Sequence, residues 1–152
     1  MCGICGLVRT AKGAAFSRNL IADMCATIVH RGPDDEGIYL DDRAGLGNRR
    51  LSIIDVEGGH QPLSNEDGSV WIAYNGEAYN FAGIRDDLKS RGHVFSTRSD
   101  TETMVHAYEE WGAPAFLERF RGMFAFALWD KRKETLFLVR DRIGIKPLYY
   151  TQ

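Results

Sequence analysis

The run Met123-Phe124-Ala125-Phe126-Ala127-Leu128-Trp129 restricts the fold more than any other stretch of this sequence. Large Phe124, Phe126 and Leu128 alternate with small Ala125 and Ala127, the two-residue period of a strand, yet neither set is polar. Such a strand has no face to give to water, so one side must meet a second sheet and the other a layer of helices. The polar stretch Asp130 to Glu134 leads into Thr135 to Val139, and a β-hairpin is the simplest connection. Antiparallel sheets layered with helices are therefore expected. Further strand-like runs lie at Ile4 to Val8, Leu51 to Asp55, Val70 to Tyr74 and Leu148 to Tyr150.

Three segments carry helical periodicity. The first opens at Ser17, a good N-cap, shows the stripe Leu20, Ile21, Met24, Cys25 and Ile28, and should stop near Gly32-Pro33. The second opens at Asn80, with Phe81, Ile84 and Leu88 on one face, and ends at Gly92 as a short surface helix. The third follows Ser99-Asp100-Thr101-Glu102, a capping-box pattern, with Met104, Val105, Tyr108 and Trp111 on one face. A brief further helix fits Ala115 to Phe120.

No repeat, low-complexity tract or linker divides the chain, so residues 1–152 read as one domain. The 19 basic and 21 acidic residues leave a formal charge of -2, too balanced for the field that nucleic-acid binding needs. There is neither a membrane-length apolar run nor a signal-peptide pattern, so a cytoplasmic location without membrane contact is expected. The 3 cysteines of such a chain are expected as reduced thiols.

Cys2 follows the initiator methionine, and removal of Met1 leaves one residue carrying both a thiol and an α-amine. A free α-amine is partly unprotonated at neutral pH and can take the thiol proton, so nucleophile and base come as one unit. By position alone Cys2 reads first as an accident of a frayed terminus. Its neighbours Gly3-Ile4-Cys5-Gly6-Leu7-Val8 argue for anchoring in a sheet. Asn75-Gly76 at the end of Val70 to Tyr74 reads either as a tight turn or as two oxyanion donors, the Asn75 side-chain amide and the Gly76 N–H. Arg50, placed before the apolar run Leu51 to Asp55, reads as a surface ion pair or as a two-point grip on a carboxylate. Asp100 reads as a first-turn acid or as the acceptor of a substrate ammonium.

Seven motifs, in order, resemble the class II glutamine amidotransferases, and within them the glutaminase domain of glutamine-dependent asparagine synthetase. They are Met1-Cys2-Gly3-Ile4-Cys5-Gly6, His30-Arg31-Gly32-Pro33-Asp34, Arg50-Leu51-Ser52-Ile53-Ile54-Asp55, Asn75-Gly76-Glu77-Ala78-Tyr79-Asn80, Ser99-Asp100-Thr101-Glu102, Arg121-Gly122-Met123-Phe124-Ala125-Phe126-Ala127, and the stretch Arg140 to Tyr150. The resemblance implies the N-terminal-nucleophile (Ntn) hydrolase fold, an α+β, four-layer αββα sandwich of two antiparallel sheets with helices outside. It implies glutamine hydrolysis through a thioester, with Cys2, Asn75 and Gly76 catalytic and Arg50, Ile53, Ile54, Glu77 and Asp100 binding the substrate. His30 to Asp34 is assigned to scaffolding. The partners implied are glutamine and a synthetase domain in a longer parent chain, and a homodimer is allowed. No cofactor is implied for this domain; ATP and magnesium belong to the synthetase half.

Two departures stand out: Ala78 replaces a larger aliphatic residue, and the chain stops before the last strands expected, as if truncated at its C-terminus. No Ser-Gly-Gly-x-Asp-Ser nucleotide loop occurs, so asparagine formation is not expected from these residues alone. A rival of another class is a zinc-binding interaction module held by Cys2, Cys5, Cys25 and His30. A redox role for Cys2-Gly3-Ile4-Cys5 is weaker, because that chemistry places its first cysteine at a helix N-terminus. A glutaminase serving another ammonia acceptor is the remaining alternative.

Overall fold

The computed structural model describes residues 2–10, 16–52, 55 and 58–152. Its elements are β1 (Gly3–Val8), α1 (Arg18–Thr27), a 3-10 turn (Val29–Arg31), β2 (Asp35–Leu40), β3 (Ala44–Arg50), β4 (Leu63–Ser64), β5 (Val70–Ala78), α2 (Phe81–Ser90), α3 (Asp100–Trp111), α4 (Ala115–Arg119), β6 (Gly122–Asp130) and β7 (Thr135–Arg140). Two antiparallel sheets form, in the orders β1-β3-β2 and β4-β5-β6-β7.

β6 is buried on both sides, as its composition requires. Phe124, Phe126 and Leu128 enter a core shared with Val105 and Tyr108 of α3 and Phe116 of α4. Ala127 and Trp129 face the other way and join Ala44 and Leu46 of β3, Tyr39 of β2 and Ala73 of β5 between the sheets. α1 covers the outside of the first sheet and α3 the outside of the second, giving the four-layer αββα sandwich expected. Asp41 fastens the two sheets: its carboxylate accepts from Tyr39 Oη at 2.5 Å and from Trp129 Nε1 at 2.9 Å. The β6–β7 hairpin forms across the polar turn as expected.

The serine caps of α1 and α3 form as expected, whereas Asn80 makes no side-chain cap bond to α2 and α1 ends at Thr27, short of Gly32-Pro33. Ser17 Oγ accepts from Leu20 N at 3.1 Å, and Ser99 Oγ accepts from Glu102 N at 3.2 Å. The apolar stripe of α1 is narrower than its sequence implies, since Ile21 and Cys25 are fully buried while Leu20 is 43% exposed. α3 departs in the other direction: every residue from Asp100 to Tyr108 is buried, because the helix runs between β5 on one side and α2 and α4 on the other.

Three strand expectations need correction. β2 and β3 lie outside the strand-like runs of the sequence, and β3 carries Gly45 and Gly47, residues that weaken a strand interior. Both face α1. A Cβ on Gly45 would lie 2.8 Å from Ile21 Cδ1, and one on Gly47 would lie 2.5 Å from Cys25 Sγ, so the helix can approach only bare backbone. The run Leu51 to Asp55 is not a strand where it is described: Leu51, Ser52 and Asp55 are irregular, and Ile53 and Ile54 lie outside the described residues. Leu148 to Tyr150 pairs with no strand, and Tyr149 and Tyr150 stand exposed. Among the described residues no helix is long and apolar enough to cross a membrane.

Glu102 makes only part of the expected capping box. Its carboxylate bonds the preceding loop, accepting from Ser96 N and Oγ at 2.7 Å each, Thr97 N at 2.8 Å and Thr97 Oγ1 at 2.7 Å. Burial pushes this carboxyl up, but the bonds from Ser96 and Thr97 outweigh it and hold the group below its ordinary 4.5. Its contribution is therefore present above pH 4.5 and lost as pH falls through the depressed folded value. Glu102→Ala should cost about 2 to 3 kcal/mol at neutral pH, the scale of hydrogen bonds to a charged group. Urea unfolding at pH 7 measures this, and an unchanged midpoint would reduce Glu102 to an ordinary helix residue.

Candidate active site

Strand parity decides what Cys2 can meet. Gly3 and Cys5 face α1, where a Gly3 Cβ would touch Ile28 and Cys5 Sγ lies 3.5 Å from Cys25 Sγ. Alternate positions of a strand face opposite ways, so Cys2 and Ile4 turn toward the second sheet, and Ile4 packs between the sheets. Cys2 is half-buried, with its Sγ 3.8 Å from Leu51 O. The zinc set Cys2, Cys5, Cys25 and His30 is thereby overturned, since the sheet separates Cys2 from the Cys5–Cys25 pair. Burial and the neighbouring Cys25 push the Cys5 thiol far above its ordinary value, which leaves it inert.

Opposite Cys2 stands β5. The tight turn read at Asn75-Gly76 does not form; the strand runs straight through, with Asn75 opposite Ala125, Gly76 opposite Phe124 and Glu77 opposite Met123. Trp71 and Ala73 of β5 face the first sheet, and by the same parity Asn75 and Glu77 do too. Gly76 is dictated by backbone approach, because a Cβ there would lie 2.4 Å from Met123 O and 2.6 Å from Phe124 Cα.

Arg50 is the last residue of β3 rather than the residue before a strand, and it is buried. Its Nη2 donates to Asp55 O at 2.7 Å, and the guanidinium lies so close over Gly59 that a Cβ there would come within 2.2 Å of Nη2. The His30 to Asp34 segment braces this exit: Asp34 N donates to Arg50 O at 3.0 Å, and Asp34 Oδ2 accepts from Ser52 N at 2.9 Å. Asp100 opens α3 and is buried; its Oδ2 accepts from Ala78 N at 2.8 Å and Tyr74 Oη at 3.2 Å. Burial, aided by the Glu77 carboxylate, raises the Asp100 carboxyl above its ordinary value despite these bonds. Burial and the charge of Asp100 likewise push the Tyr74 phenol well up.

Cys2, Arg50, Asn75, Gly76, Glu77 and Asp100 all line one pocket of about 610 Å³, part of it open to solvent. It places a guanidinium, two carboxylates, a side-chain amide and a thiol around one space. Ile53 and Ile54 lie outside the described residues. Gln61, Thr101, Met123 and Lys146 line the same pocket and were not singled out from the sequence. Gln61 sits in an aperiodic stretch before Pro62. Lys146 carried no marker beyond its motif, and its burial emerges only in the folded chain.

Elsewhere, His93, His106 and Glu109 are the group among the described residues whose donor atoms converge as metal ligands do. Protein groups already account for the cluster. His93 Nδ1 meets His106 Nδ1 at 3.3 Å, His106 Nδ1 meets Glu109 Oε2 at 2.9 Å, and His93 Nε2 meets Glu110 Oε2 at 3.2 Å. Asn65 Nδ2 donates to Glu109 Oε1 at 2.7 Å, so this chain ties α3 to the turn before β5.

The sequence profile of the glutamine amidotransferase domain matches residues 1–152. The chain is 48% identical over 153 residues to asparagine synthetase [glutamine-hydrolyzing] 1 of Bacillus subtilis, covering 99% of this chain and 24% of that protein. It is 42% identical over 149 residues to asparagine synthetase B [glutamine-hydrolyzing] of Escherichia coli, covering 98% and 26%. The chain thus spans about a quarter of the length of these relatives. Among solved structures, the glutamine phosphoribosylpyrophosphate (PRPP) amidotransferase of B. subtilis, complexed with ADP and GMP, superposes with a TM-score of 0.56 at 25% identity, over 71% of this chain and 25% of that one. A structure described as the allosteric regulatory enzyme of purine biosynthesis gives 0.57 at 26% identity, with the same coverage.

Proposed function

The chain belongs to the glutamine amidotransferase domain family, and from that premise we propose that it hydrolyses glutamine to glutamate and ammonia with Cys2 as an N-terminal nucleophile. The observation that carries this is the convergence of Cys2, Arg50, Asn75, Gly76, Glu77 and Asp100 on one pocket.

With Met1 removed, the α-amine of Cys2 takes the thiol proton, and the thiolate attacks the side-chain amide carbon of glutamine. The carbonyl oxygen becomes an oxyanion, stabilised by the Asn75 side-chain amide and the Gly76 N–H. The protonated amine returns its proton to the leaving nitrogen, and ammonia departs as the thioester forms. Water, deprotonated by the same amine, attacks the thioester, and the second tetrahedral intermediate collapses to glutamate and the free thiol. Arg50 grips the α-carboxylate. Glu77 and Asp100 hold the α-ammonium, a cation that relieves the repulsion between these two acids. None of these steps needs a cofactor.

The glutamine-hydrolysing asparagine synthetases among the relatives support a synthetase domain as the ammonia consumer; in this scheme ATP and magnesium belong to that domain. Similarity to a PRPP amidotransferase favours a different acceptor, but at 25% identity against 48% it is the weaker indication. The deciding experiment incubates the chain, with Met1 removed, with glutamine and assays glutamate and ammonia together. Equimolar release is expected, and none would overturn the assignment. In the same assay Arg50→Lys should raise KM for glutamine roughly tenfold or more while changing kcat less, because an ammonium cannot reproduce a planar two-point grip. An unchanged KM would make Arg50 a structural ion-pair residue.

A further inference from the structure

β4 contributes only Leu63 and Ser64, paired with Ile72 and Trp71 of β5. Carried two residues further, that antiparallel register brings Gln61 opposite Tyr74, past a proline that has no N–H to offer. There a side chain takes over from the backbone. Gln61 Oε1 accepts from Tyr74 N at 2.7 Å and from Asn48 Nδ2 at 3.1 Å, while Asn48 Nδ2 also reaches Tyr74 O at 3.3 Å. Two acceptors around one Nδ2 fix which way the Asn48 amide faces. Both backbone polar groups of Tyr74 are thus held by the Gln61–Asn48 pair, and the Tyr74 carbonyl belongs to the peptide unit that enters Asn75.

The other end of the amide reaches a third element, with Gln61 Nε2 donating to Thr101 Oγ1 at 3.3 Å. One buried side chain therefore ties β5 one residue before Asn75, β3 two residues before Arg50 and α3 one residue after Asp100. We propose that Gln61 is a positioning residue for the glutaminase reaction, setting the oxyanion donors Asn75 and Gly76 by clamping Tyr74. This rests on the glutaminase assignment above.

The consequence for kinetics is specific. An oxyanion exists in the transition state and not in bound glutamine, so misplaced donors lower kcat and leave KM nearly unchanged. Gln61→Leu removes both polar ends at similar volume. It should lower kcat roughly 10- to 100-fold, part of the loss typical when an oxyanion donor is deleted outright, with KM shifting less than about threefold. Gln61→Glu keeps an oxygen opposite Tyr74 N and Asn48 Nδ2 and should recover most of that kcat. Rates are taken per Cys2 that a thiol-alkylating reagent titrates, so partial unfolding does not count as lost catalysis.

A Gln61→Leu protein with wild-type kcat per titrated thiol, or a Gln61→Glu protein no faster than Gln61→Leu, would overturn the proposal. Should Gln61→Leu fail to fold, Asn48→Ala carries the same test. It frees the Tyr74 carbonyl and removes one of the two donors to Gln61 Oε1 while leaving the bond from Tyr74 N, and should lower kcat by about fivefold, a smaller displacement of the same donors. A wild-type chain that releases no ammonia would instead refute the glutaminase assignment, and the role of Gln61 with it.

Discussion

Any residue left in front of Cys2 should cost the protein most of its glutaminase activity while leaving its fold intact. Retaining Met1, or adding a tag, converts the α-amine into an amide, which cannot accept the thiol proton at neutral pH. General-base assistance is worth about 100- to 10,000-fold, and that is the loss expected between extended and processed forms. Cys2→Ser should lose more, because an alcohol is the poorer nucleophile under the same weak base. The comparison requires a cleavable N-terminal extension, intact mass for both forms and glutamine hydrolysis before and after cleavage. Equal rates with the extension still attached would sink the N-terminal mechanism, leaving a cysteine hydrolase with another base.

Asn75→Ala should have the next largest effect. The Asn75 side chain is buried and turned from β5 toward Cys2, and deleting one oxyanion donor typically lowers kcat about 100- to 1,000-fold. KM should move little, since the donor acts on charge that appears only in the transition state. Steady-state kinetics on the processed protein separate the two parameters, and a variant within about threefold of wild-type kcat would remove Asn75 from the oxyanion hole.

Much of the candidate site was legible because the chemistry proposed for it is local in sequence. Cys2 behind an initiator methionine, Asn75-Gly76 after a buried strand and Asp100 in a capping motif each couple a residue type to a short-range structural signal. All fall on the same pocket. The two-sided apolar pattern of β6 likewise announced a layered fold, since neither of its faces could meet water. The strand β3 could not be read this way. Its glycines at 45 and 47 serve the close approach of α1, a contact between distant parts of the chain that leaves no periodic trace in the strand itself. The same holds for Asn75-Gly76, where a turn and a through-running strand share one local signature and pairing with β6 settles the matter.

The sequence by itself offered the local chemistry proposed for this protein: a cysteine directly behind an initiator methionine, candidate oxyanion donors, and charges suited to an amino acid substrate. It also determined that a strand with two apolar faces must lie between layers. Only the tertiary structure decided which of these groups share a space. Strand parity turns Cys2 away from Cys5 and Cys25, which ends the zinc alternative, and β3 delivers Arg50 at its buried end. A side chain from an aperiodic segment, Gln61, joins β3, β5 and α3 through hydrogen bonds to residues 13 and 40 positions away. The physical reason is range: propensity and periodicity record what a residue does with its near neighbours, while a site is assembled by contacts that exist only once the sheets have packed.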